Sequence, residues 1–179
     1  KAAYNPQPDD EVYTYFVPGR LEVFGKHTDY AGGHSLIFAL NRGFYCICKA
    51  NNKHMLRLRD IDPFYSERVF EVSDRIEPTV GDWVNYPMTV VRRLCRNFSA
   101  ELQGVDIAFG SDLPSAGGMS SSSALMIMVF LTVASVNGLF NSHKYVENIS
   151  NNLDLAMYLA CAENGQTFRG LLGDQGVGT

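Results

Sequence analysis

Residues 124–136 form a run of thirteen that is apolar on every side, interrupted only by Thr132 and Ser135. A helix without a polar face has to be covered all round. It is also too short for the roughly 20 residues that a membrane span requires. The run therefore predicts a central helix in a packed core, and the rest of the chain must supply its cover.

The first half supplies strands. Residues 20–24 and 35–40 are short apolar runs on either side of a Gly-rich loop. Residues 43–49 carry Phe, Tyr, Ile and Cys, which suit a pleated, half-buried surface. Residues 55–59 alternate apolar and basic side chains, the period-two signature of a strand with one wet face, and residues 68–72 repeat it weakly. Helical spacing follows over 86–98, where Val90, Leu94 and Phe98 share a stripe, then a strand over 105–109 and the long helix over 121–136. A last helix over 153–163 is apolar nearly all round, which predicts burial. Strands followed by helices give an α+β class, a mixed sheet packed against helices.

Charge narrows the partners. Fifteen Lys and Arg against nineteen Asp and Glu leave a net charge of −4. That sign disfavours nucleic acid or an anionic membrane as the main partner. Cys46 and Cys48 are one residue apart, unlike the wider pairs of a zinc site, and Cys95 and Cys161 stand alone. On a strand, side chains two apart share a face, so these thiols read as small buried hydrophobes, reduced as in a cytoplasmic protein. The lack of an initiator Met and a loop-like stretch over 173–179 lead us to expect a piece of a longer chain.

Three motifs carry chemistry. In Leu113-Pro114-Ser115-Ala116-Gly117-Gly118-Met119-Ser120-Ser121-Ser122-Ser123, paired glycines permit close backbone approach, and the following helix N-terminus favours an anion. No Gly-Lys-Ser/Thr is present, so this is not a Walker A loop; serine capping of a core helix is the plain alternative. Residues 18–30 deliver Arg20, Lys26, His27 and Asp29 into one loop, able to hold a polyhydroxylated substrate or to form a solvated charged turn. Glu163 at a helix end and Asp174 in a Gly-flanked loop suit metal binding and general-base work, or ordinary caps.

Together the motifs resemble those of the GHMP small-molecule kinases, and most closely the galactokinase branch. Pro18-Gly19-Arg20 through Gly25-Lys26-His27-Thr28-Asp29-Tyr30 is similar to the signature Pro-Gly-Arg, then Gly-Glu-His-Thr-Asp-Tyr. Residues 114–122 resemble Pro-x-x-x-Gly-Leu-Ser-Ser-Ser with Met119 for Leu, and Trp83-Val84-Asn85-Tyr86 resembles the Trp-x-Asn-Tyr beside the adenine pocket.

The resemblance implies that residues 1–179 are the ATP- and sugar-binding N-terminal domain, ribosomal-protein-S5-domain-2-like with a left-handed βαβ unit, lacking a C-terminal domain. It implies transfer of the γ-phosphate of ATP, with Mg2+, to the anomeric (C1) hydroxyl of galactose or a related sugar. In the carried-over roles Asp174 takes the hydroxyl proton and Arg20 stabilises the reacting groups. Lys26, His27, Asp29 and Asp174 meet the sugar. Trp83 and Tyr86 flank adenine, while Pro114, Gly117, Gly118, Ser120, Ser121 and Ser122 line the phosphates. Ser122 and Glu163 hold the metal. The implied partners are a small sugar and ATP, without nucleic acid or membrane.

The chain departs from the pattern in three places. A second domain with a further Gly-rich motif is not among these residues, so this piece alone is expected to be inactive. The segment before Asp174 is short. Lys26 replaces a Glu that accepts from the sugar 6-hydroxyl, and an ammonium only donates; this raises a C6-modified sugar such as a uronic acid as an alternative substrate. A galactokinase-like sensor that binds sugar and ATP without turnover is the other alternative.

Overall fold

A computed structural model describes residues 8–25, 32–98, 101–114 and 118–177. Its single five-stranded sheet has the order β1-β2-β5-β3-β4, formed by β1 (Val12–Phe24), β2 (Leu36–Asn51), β3 (Met55–Asp60), β4 (Arg68–Glu71) and β5 (Gly104–Ser111). β1–β2, β2–β5 and β3–β4 are antiparallel, and β3–β5 is parallel. The sheet is therefore mixed, and α1 (Asn85–Asn97) lies on the connection between the parallel pair. The other helices are α2 (Ser121–Val136), a short α3 (His143–Asn148) and α4 (Asn152–Glu163).

Two of the expected strands are one. Residues 35–40 and 43–49 join into the continuous β2, and β1 begins at Val12 rather than at Arg20. Gly43 makes this possible: a Cβ there would lie 2.1 Å from the Val17 carbonyl, so any side chain would break the pairing. The register shifts just beyond, between Pro18 and Arg20. Gly19 is left out of the pairing at this irregularity, and Arg20 resumes the ladder opposite Ala39.

α2 sits where its composition demands. Met128, Val129, Phe130, Val133 and Ala134 are fully buried, with α1 packed against one side and β1 and β2 against another. Phe44, Cys46 and Cys48 of β2 face the same core. Burial raises the Cys46 thiol to about 11 and the Cys48 thiol to about 12, so neither is a ready nucleophile.

α4 corrects an expectation. Only Asp154, Tyr158 and Ala162 are buried, four apart on one stripe, whereas Leu153 and Met157 are exposed. The helix packs through that stripe, with Tyr158 donating to Asn97 Oδ1 of α1, and lies at the surface. Its start is set by Asn151, whose side chain accepts from the Asp154 N–H at 2.9 Å.

Candidate active site

Position 120 decides how α2 begins. Ser120 precedes the helix in the left-handed conformation, φ 52°. Its carbonyl accepts the Ala124 N–H, but its hydroxyl does not turn back to cap the helix. That hydroxyl instead accepts from Arg20 Nε at 3.1 Å, and the Arg20 N–H donates to the Met119 carbonyl at 3.1 Å. Gly19 lets the chains meet: a Cβ there would lie 2.5 Å from Leu113 and 3.2 Å from the Met119 carbonyl. Arg20 and the serine loop are thus one unit. Ser120 gives α2 no side-chain cap bond and the first turn holds no acid, so its first N–H groups, which have no partner within the helix, are not satisfied by that cap.

Two clefts flank that helix end. One, of about 240 Å³, is lined by Phe44, Asp60, Tyr65, Trp83, Tyr86, Phe109, Leu125 and the side of α2 carrying Ser121 and Ser122. Its surface is mainly aromatic, with the Trp83 and Phe109 rings edge-on at 6.4 Å. Arg68 lies over the Trp83 ring, 5.8 Å from its centroid, and pairs with Asp82 at 3.1 Å. The neighbouring Asn85 is structural: it is buried and exchanges bonds of 2.8 and 2.7 Å with the Thr79 backbone.

The second cleft, of about 300 Å³, is lined by Pro18, Arg20, Ser120, Ser123, Glu163 and apolar residues of α2 and α4. Burial raises the Glu163 carboxyl above the usual range, against the opposing pull of Arg20 and a hydrogen bond with Ser123. Because successive helical residues point about 100° apart, the four serines divide between the clefts. Ser123, which the sequence did not single out, is the serine beside Glu163; Ser122 faces the aromatic cleft. The expected metal pair Ser122 and Glu163 is therefore split between two walls.

Asp174 also needs correction. It lines neither cleft. Its carboxylate is buried between Arg92 Nε at 2.8 Å and Arg93 Nη1 at 3.5 Å, and it accepts the Gly176 N–H at 2.9 Å. A carboxylate so enclosed has no face for a substrate hydroxyl. The signal missed in the sequence was the Arg92-Arg93 pair, adjacent on a helix that had to be buried. Gly118 follows the undescribed residues with φ 67°, a conformation suited to glycine. Pro114 opens the same loop but lines neither cleft. Lys26, His27, Asp29 and Gly117 lie outside the described residues.

In kind, these donors suit magnesium. Mg2+ takes hard oxygen ligands, commonly one or two carboxylates with substrate phosphates. Glu163 and the serine hydroxyls of the first turn of α2 supply that set.

Residues 85–166 match the family described as GHMP kinases N terminal domain, and residues 1–50 match the galactokinase galactose-binding signature. Galactokinase of Halalkalibacterium halodurans is 32% identical over 130 residues, covering 72% of this chain and 32% of that protein. Galactokinase of Actinobacillus pleuropneumoniae is 35% identical over 116 residues, covering 65% and 30%. The chain spans about a third of the length of these curated relatives. Lactococcus lactis galactokinase, solved with galactose, superposes with a TM-score of 0.71 at 24% identity, over 92% of this chain and 41% of that one. Methanococcus jannaschii mevalonate kinase gives 0.61 at 17% identity, over 90% and 49%. These two likenesses concern the fold. With the two motif regions matched in order and the fold shared, the chain belongs to the GHMP kinase family, as its N-terminal domain, with galactokinases among its relatives.

Proposed function

We propose that the protein containing this chain is an ATP-dependent sugar kinase that phosphorylates the C1 hydroxyl of galactose or a close relative, in the cytoplasm. One observation supports it above the rest: the uncapped start of α2 lies between an aromatic cleft and a cleft holding Arg20 and Glu163. An aromatic cleft takes a nucleoside base by stacking. The N–H groups of the helix start receive its phosphates. Arg20 sits where negative charge develops during transfer, held there by Ser120. Phosphoryl transfer asks mostly for positioning and charge neutralisation, which these groups offer. Glu163 and a first-turn serine would hold Mg2+, whose chemistry is to neutralise the phosphates. His27 and Asp29, in the segment matching the galactose-binding signature, are the sugar contacts of this reading.

A second reading, binding without turnover, draws on the position of Asp174 among its arginines. ADP release by the full-length protein with galactose, galacturonate and other sugars separates the two. The kinase reading expects sugar-dependent ADP; sugar and ATP binding without ADP would favour a sensor. A preference for galacturonate that Lys26→Glu reverses would make the uronic acid the substrate.

A further inference from the structure

Asp60 stands where an apolar residue is expected. On β3, Leu56 and Leu58 point into the core and are fully buried. Alternation places Asp60 next in that row, at the mouth of the aromatic cleft, opposite Phe109 of β5. Among the described residues lining that cleft it is the one acid. Its Oδ1 accepts the Asp62 N–H at 2.9 Å, which orients the carboxylate at the cleft wall. An ionised carboxylate accepts and never donates. Stacking on the surrounding rings tolerates any base, so it cannot discriminate.

From this we infer that Asp60 selects the nucleotide base, its carboxylate accepting from the exocyclic amino group of adenine. The inference rests on the nucleotide reading of the cleft given above. A 6-oxo purine presents an acceptor at the same place, which a carboxylate repels. Guanine carries the same 6-oxo acceptor, so it meets the same repulsion there.

The test measures binding of ATP, ITP, GTP and 2′-deoxy-ATP to the full-length protein by calorimetry with Mg2+. The wild type is expected to prefer ATP over ITP and GTP by about tenfold or more, the value of one charge-assisted hydrogen bond. Asp60→Asn keeps the Oδ1 acceptor for Asp62 and offers an amide donor to a 6-oxo group. It should narrow the ATP:ITP ratio by about tenfold and leave the ATP:2′-deoxy-ATP ratio unchanged. An unaltered ATP:ITP ratio in the variant, a wild-type preference for GTP, or a changed 2′-deoxy ratio, which would place Asp60 on the ribose, overturns the inference. Failure of the wild type to bind any nucleoside triphosphate overturns the nucleotide reading itself, a different result from all three.

Discussion

Arg92 and Asp174 form an ion pair of 2.8 Å whose side chains are each only 4% exposed. Arg93, 1% exposed, approaches the other carboxylate oxygen at 3.5 Å, and its Nη1 has no hydrogen-bond partner. Arg92 also donates to the Ile76 carbonyl at 3.0 Å and to the Gly176 carbonyl, and Arg93 donates to the Gln166 carbonyl. The cluster therefore clasps the chain after α4 to α1. That chain in turn meets Glu163, whose carbonyl accepts the Val177 N–H at 3.1 Å.

Removing Asp174 leaves two buried guanidinium groups with no opposing charge. Asp174→Ala is expected to lower stability by about 3–5 kcal/mol, read as a fall in the urea midpoint. An unchanged midpoint with turnover abolished would restore Asp174 as the general base.

Ser120→Gly separates stability from function. Serine at φ 52° is strained by about 1 kcal/mol or slightly more, and glycine relieves it. The same change removes the hydroxyl that holds Arg20. The variant should keep its urea midpoint, strain relief offsetting the lost hydrogen bond, yet lose about tenfold or more in kcat/KM, the value of a hydrogen bond to a charged group. A variant equally stable and fully active would remove Arg20 from the site.

Glu163 gives a pH dependence of definite sign. Its carboxyl is raised from 4.5 by burial, so the folded state binds its proton more tightly than the unfolded chain does. That stabilisation is present below 4.5 and is lost as pH rises through the folded value. Glu163→Gln should flatten this part of the stability profile and be no less stable than the wild type at pH 7. It should also lose the Mg2+ dependence of nucleotide binding. Retained Mg2+ dependence would exclude Glu163 as a metal ligand.

Much of this fold was legible because its signals are local. The all-round apolar pattern of 124–136 required a central helix, and alternation over 55–59 located β3. The motifs singled out Arg20, Trp83, Tyr86 and Glu163, and in the structure these residues line two clefts beside the start of α2. What stayed hidden depends on long-range partners. The continuity of β2 rests on Gly43 passing Val17 across the sheet. The exposure of α4 follows from a single contact stripe that its composition conceals. The burial of Asp174 is decided by Arg92, 82 residues away in sequence. Assignment of Ser122 and Ser123 to opposite clefts depends on the rotation of α2, which no motif records.

The most direct measurement is a crystal structure of the full-length protein with a non-hydrolysable ATP analogue, Mg2+ and galactose. The account predicts the base between Trp83 and Tyr86, the phosphates on the N–H groups at the start of α2, and the sugar on the Arg20 side of that helix. An analogue bound away from Ser120–Ser123, or a base outside the Trp83 cleft, would contradict it.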